Sequence, residues 1–169
     1  MGGNGEPGKP DPPSVICGGR GVTTFYGSFA YSLDDRGRLA VPARYRPAFA
    51  GGVVLRVGPE GCLEMYTLEG FEAEKDLLLG EHRSTRSQQG RRLRRGFLAG
   101  VSDLELDGQG RVLLSASLRE AAGLTDRAVV IGCGDYVEIW NPARWETELA
   151  SVEREIQADG LSAVAGDGS

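Results

Sequence analysis

The sequence predicts an α+β fold, mainly β, in which one structural unit is built twice. Three observations predict it. The stretch DDRGR at residues 34–38 returns 73 positions later as DGQGR at residues 107–111. The likeness then continues for about forty residues without losing order: Ala43 meets Ala116 and Arg46 meets Arg119. After one extra residue in the second copy, Glu64 meets Glu138, Tyr66 meets Trp140 and Phe71 meets Trp145. Short runs in both copies alternate apolar and polar residues, the period of half-buried strands, and Gly and Pro punctuate them.

The first copy opens with FAYSL, where Phe29, Tyr31 and Leu33 alternate with small or polar residues and predict a strand. DDRG turns the chain, and Gly37 supplies the positive φ that a tight turn requires. RLAV is a second strand. PARYRPAF starts a helix at Pro42, and Pro47 limits it to a turn or two. After the GG break, VVLRV and CLEMYT are two more strands. The second copy runs in parallel: DLEL, DGQG, RVLL, then a helix ASLREAA capped by Ser115 and ended near Gly123, then AVVIG and YVEIW. Asn141 caps a further helix over residues 142–157, with Pro142 in its first turn. Between the copies, residues 68–98 are mostly helical. Residues 81–95 carry Arg83, Arg86, Arg91, Arg92, Arg94 and Arg95 against one glutamate, a basic run with no partner in the other copy.

This gives a division into a disordered Gly/Pro-rich leader (1–26), a first repeat (28–73), a basic helical linker (74–100), a second repeat (101–145) and an acidic helix and tail (146–169). Net charge is −5 over 169 residues. The stretch 146–169, with six acids and one base, holds all of that excess, so the rest of the chain is balanced. Seventeen of the 19 basic residues are Arg, whose planar fork suits phosphate and guanine edges. No apolar run reaches the ~20 residues of a membrane helix, and the leader lacks the pattern of a signal peptide. Three dispersed cysteines (Cys17, Cys62, Cys133) then predict reduced thiols in a cytoplasmic protein. A single histidine, His82, leaves no Ser/His/Asp set and no zinc cluster. GCGDY joins two strands rather than opening a helix, so it does not cradle phosphate. No catalytic residue, metal, cofactor or small-molecule substrate is expected.

The paired D-x-x-G-R turns, PARYR after the first and YVEIWNPARWE closing the second resemble the MraZ family of bacterial transcription regulators over roughly residues 26–145. The resemblance implies two AbrB-like half-units fused in one chain, their hairpins interleaved in a pseudo-two-fold swapped-hairpin β-barrel with flanking helices. It implies a nucleoid-associated, ring-like homo-oligomer. The expected partner is double-stranded promoter DNA, met at direct repeats of a short G-rich box before the division and cell-wall gene cluster, with repression as the output. The second turn, DGQGR, lacks the inner arginine of DDRGR, which leaves both equal and unequal contact of the two halves with DNA open.

An arginine at a hairpin tip loses up to ~2 kcal/mol of rotamer entropy on binding unless it is held beforehand. The expectation is that Asp34 orients Arg38 and Asp107 orients Arg111. Each guanidinium would keep donors for guanine N7 and O6. Gly37 and Gly110 would let the backbone approach phosphate. Arg36 and Arg44 join the DNA-binding set, and Arg46 and Arg119 are further phosphate candidates. The alternative for each Asp–Arg pair is a staple within its own turn, worth about 0–1 kcal/mol when exposed. Tyr66, Phe71, Trp140 and Trp145 either fill the barrel core or pack between subunits. The basic cluster meets either phosphate or acids such as Glu72 and Glu74 of a neighbour. Two other functions compete: an AbrB-like antitoxin, and a protein-interaction ring without promoter specificity.

Overall fold

The computed structural model describes residues 24–80 and 85–159. The expectations for residues 1–23, for His82 and Arg83, and for residues 160–169 lie outside the described residues. The first unit consists of β1 (Ser28–Ser32), β2 (Arg38–Ala40), a 3₁₀ turn (Arg46–Phe49), β3 (Val53–Val57), β4 (Leu63–Tyr66) and α1 (Leu68–Gly80). Then follow α2 (Gln88–Leu98), β5 (Ser102–Leu104), β6 (Arg111–Leu113), α3 (Ala116–Ala121), β7 (Arg127–Gly132), β8 (Val137–Trp140) and α4 (Pro142–Ala158). The local signals act as expected. Pro47 restricts the first helix to one 3₁₀ turn. The Ser115 hydroxyl accepts from the Leu118 N–H, and the Asn141 side chain accepts from the Ala143 and Arg144 N–H groups.

The strands form a six-stranded antiparallel sheet in the order β1-β7-β8-β4-β3-β5 and a two-stranded ribbon of β2 and β6. The order reads the same from either end once each strand is replaced by its counterpart in the other copy. β1 of the first unit pairs with β7 of the second, and β5 of the second pairs with β3 of the first. Each unit thus supplies an edge strand to the other. Two registers locate the pseudo-two-fold axis. Leu39 faces Val112 in the ribbon and Glu64 faces Glu138 in the sheet, and both pairs are equivalent positions of the duplication. The expected closed barrel is not found. The sheet ends at β1 and β5, and it meets the ribbon through the Leu33–Leu39 bridge and the backbone bonds of the two turns rather than through a continuous ladder.

Two faces of the sheet are buried differently. Leu63, Met65, Val137 and Ile139 point to the main core, where Leu39 and Val112 of the ribbon close over them. Strand alternation sends Cys62, Glu64, Tyr66 and Trp140 to the opposite face. There Tyr66, Phe71, Leu79 and Phe97 form a second cluster beneath α1 and α2, and Cys62, Ile131 and Trp140 a third, with Trp145 against it. The aromatic residues that end each copy are therefore packed under helices, not in a barrel core. Between these clusters, on the axis, lie the two glutamates. Glu64 accepts from Arg56 Nε (2.8 Å) and the Tyr66 hydroxyl (3.1 Å); Glu138 accepts from the Tyr136 hydroxyl (3.0 Å) and Trp140 Nε1 (2.7 Å). Burial pushes the Glu64 carboxyl above its ordinary range, against the pull of Arg56.

Three of the expected boundaries cut through the described fold. Phe25, placed in the leader, is buried: it exchanges backbone hydrogen bonds with Gly134 (2.7 and 2.8 Å) and stacks on Phe49 at 5.2 Å. Tyr26 follows it into the fold, its carbonyl accepting from the Tyr45 hydroxyl. α1 runs through the boundary at 73 and α4 through that at 145. These helices occupy equivalent places after β4 and β8, so each unit includes its closing helix, and α2 is the addition.

Candidate nucleic-acid interface at the paired turns

The β2–β6 ribbon sets the two D-x-x-G-R turns side by side. Its ladder extends beyond the strands: the Val41 N–H donates to the Gly110 carbonyl (3.0 Å) and the Leu114 N–H to that of Gly37 (2.9 Å). Each turn is thus sewn to the strand that follows the other.

The turns are built alike. The Gly37 N–H donates to the Asp34 carbonyl and the Gly110 N–H to that of Asp107, both at 3.0 Å. Gly37 has φ +79° and Gly110 +73°, the left-handed region expected from the sequence. Asp34 Oδ1 accepts from the Arg36 and Arg38 N–H groups (3.0 and 2.9 Å), and Asp107 Oδ1 from those of Gln109 and Arg111 (both 2.9 Å). The remaining carboxylate oxygen takes the arginine: Arg38 Nε lies 2.6 Å from Asp34 Oδ2 and Arg111 Nε 2.9 Å from Asp107 Oδ2. These donors hold both carboxyls below the usual range, the largest effect being the backbone N–H of the turn's own arginine.

One contact crosses between copies. Arg111 Nη1 donates to Asp34 Oδ2 at 3.3 Å. Asp34 therefore holds both arginines, while Asp107 holds one. Arg38 and Arg111 keep 29% and 25% of their side-chain surface exposed. Among the described residues, neither Nη group of Arg38 nor Nη2 of Arg111 makes a hydrogen bond.

Two further arginines are locked beneath the turns. Arg46 Nε donates to the Val41 carbonyl (2.9 Å) and Arg119 Nε to that of Leu114 (3.2 Å). Each lies across the glycine of the opposite turn. A Cβ at Gly37 would sit 2.7 Å from Arg119 Nε, and one at Gly110 would sit 2.5 Å from Arg46 Cδ. The glycines therefore admit an arginine of the other copy. Arg46 and Arg119 were placed by sequence only among further phosphate candidates. The signal for their larger role was present: apart from Arg38 and Arg111, they are the only arginines that match between copies.

The side chains of the remaining candidates make none of these contacts among the described residues. Arg36 is exposed on the first turn. Arg44 is exposed but its guanidinium lies 4.5 Å from the Tyr26 ring centroid and 5.5 Å from that of Phe29, a cation–π arrangement on the N-terminal segment.

The cross-contact makes the two acids unequal. Asp34→Ala removes the acceptor of both arginines; Asp107→Ala leaves Arg111 its bond to Asp34. Both variants lose the same charge, so their difference reports geometry. Asp34→Ala is expected to melt at a lower temperature than Asp107→Ala in parallel calorimetric scans at pH 7, and equal melting temperatures would show the 3.3 Å contact to be idle. Because folding lowers both carboxyl pKa values, their contribution is fully present above the unfolded value, about 3.9, and is lost as pH falls through the folded one. The gap between the variants should close at still lower pH.

Comparison with known proteins agrees with this duplicated plan. The family model described as "MraZ protein, putative antitoxin-like" matches twice, over residues 24–91 and 97–162. Each match begins before the first strand of a unit and runs beyond its closing helix. The transcriptional regulator MraZ of Thermomicrobium roseum is 42% identical over 133 residues, covering 76% of this chain and 91% of that protein. That of Rhodococcus opacus is 39% identical over 139 residues, covering 82% and 96%. That of Moorella thermoacetica is 40% identical over 134 residues, covering 79% and 92%. With two matches to the family model and relatives aligned over most of their length, the chain belongs to the MraZ family.

Proposed function

We propose that this chain is a sequence-specific DNA-binding transcriptional regulator, and that the paired turns are its reading head. The observation that carries this reading is the state of Arg38 and Arg111. Each guanidinium is fixed through Nε by an aspartate, yet retains unengaged Nη donors at a partly exposed surface. A guanidinium held in this way has lost its rotamer entropy before DNA arrives, and its outer donors fit guanine N7 and O6. Arg36, exposed on the first turn and absent from the second, supplies a phosphate contact on one side only. The names of the relatives support regulation of transcription.

Two arginines give modest affinity. Assembly of several copies on one DNA raises it through effective concentration, often 10²–10⁴-fold. Direct repeats of a G-rich box, read by a ring-like homo-oligomer before the division and cell-wall genes and acting in repression, complete the proposal; this part follows the family resemblance. The test is equilibrium binding, by fluorescence anisotropy at about 0.15 M salt, to the duplex upstream of the protein's own gene and to a scrambled duplex of equal length. A preference of about 10³-fold or more is expected. Equal affinity for both duplexes would leave only phosphate attraction and overturn the proposal.

A further inference from the structure

In the first unit α2 covers α1, with Phe97 stacked on Phe71 at 5.7 Å. Among the described residues nothing covers α4, the equivalent of α1, in this way, and none of its residues is buried. Trp145, Leu149, Val152 and Ile156 follow at i, i+4, i+7 and i+11, the spacing of one helix face, and Leu149 is 38% exposed. The acids Glu148, half-buried, and Glu153 and Glu155, exposed, stand along the same helix. Among the described residues, side-chain hydrogen bonds to other elements anchor its start: Arg144 Nη1 donates to the Gly61 and Ala121 carbonyls, and Asn141 Nδ2 to that of Gly123. Beyond that turn, among the described residues, the side-chain hydrogen bonds stay within the helix.

α1 and α2 carry the complementary chemistry. Leu77, Leu78 and Leu93 are 74%, 43% and 39% exposed. Arg91, Arg92 and Arg95 are exposed on α2. Among the described residues no carboxylate pairs with these three arginines, and no base pairs with Glu148, Glu153 or Glu155. Apolar patches of this kind, bordered by unpaired charge, mark association surfaces.

We infer that α4 of one copy docks on the α1–α2 helix pair of a second copy, its apolar face on the exposed leucines and its acids over the α2 arginines. The two patches are different parts of the chain, so the contact is head-to-tail and each copy uses both. Its opposed charges fix the direction of docking. This inference rests on the self-assembly reading above and supplies its interface.

The test is charge reversal on the full chain, read as assembly mass by multi-angle light scattering at low salt. Glu148→Arg/Glu153→Arg/Glu155→Arg and, separately, Arg91→Glu/Arg92→Glu/Arg95→Glu should each reduce the wild-type assembly to monomer. Mixing the two variants should restore an assembly of alternating copies, because the wild-type patches pair with each other and the two reversed patches are again opposite in charge. Combining all six changes in one chain should restore the wild-type mass. Leu149→Glu, in an exposed position, provides a second probe and should also give monomer. Circular dichroism establishes that each variant is folded. A wild-type assembly whose mass survives both reversals and Leu149→Glu would overturn this interface while leaving self-assembly standing. A monomeric wild-type protein would overturn both.

Discussion

Gly110→Ala is expected to destabilise the protein by about 2–5 kcal/mol. Two separate penalties combine. An alanine at φ +73° pays the left-handed cost of about 1–2 kcal/mol. Its Cβ also enters the space of the Arg46 side chain, 2.5 Å from Cδ, and overpacking of that kind costs roughly 1–3 kcal/mol. Arg46 cannot withdraw without breaking the hydrogen bond from its Nε to the Val41 carbonyl. That carbonyl belongs to the residue whose N–H bonds Gly110 in the swapped ladder. Adding Arg46→Ala should relieve the collision but not the backbone strain, leaving about 1–2 kcal/mol. Urea unfolding of the single and double variants measures both quantities. A Gly110→Ala protein within about 0.5 kcal/mol of wild type would show that the two copies do not interlock as described.

The largest expected effect on binding comes from the combined substitution Arg38→Ala and Arg111→Ala. Each arginine fitted to a guanine edge contributes about 1–3 kcal/mol of discrimination, so the double variant should lose roughly 10²–10⁴-fold in affinity for its promoter. Its binding to scrambled duplex should fall far less, because phosphate attraction depends on total charge. Both side chains are partly exposed and neither belongs to the core, so the variant remains folded by circular dichroism. Lysine is no substitute: it is a point charge without the planar fork, and Arg38→Lys should restore non-specific but not specific binding. Undiminished promoter affinity in a folded double variant would remove these turns from DNA recognition.

Much of this architecture is written locally. The turn glycines, the caps at Ser115 and Asn141 and the restriction by Pro47 each act within a few residues, and each appears where the sequence places it. What the chain hides is the partner of each strand. The alternation in FAYSL says that one face of β1 is buried, but not that its neighbour is β7 of the other copy. CLEMYT reads as a strand, yet the burial of Glu64 depends on Arg56, Tyr66 and a covering helix. Phe25 follows two threonines, and its distant bridge to Gly134 and its packing on Phe49 draw it into the core. The candidate site divides in the same way. The Asp–Arg brace within each turn follows from the five-residue spacing. The sharing of Asp34 between two arginines, and the seating of Arg46 and Arg119 on opposite turns, arise from the swap of strands between copies.

The most direct measurement is the binding of wild-type protein to its promoter duplex after guanines of the recognised box are replaced, one at a time, by 7-deazaguanine. That change deletes the N7 acceptor and leaves base pairing intact. At guanines met by Arg38 or Arg111, affinity should fall by about tenfold, near the middle of the range for such contacts, and the Arg38→Ala, Arg111→Ala protein should not register the change. Uniform wild-type affinity across every substituted guanine would contradict the claim that these braced arginines read the major-groove edge.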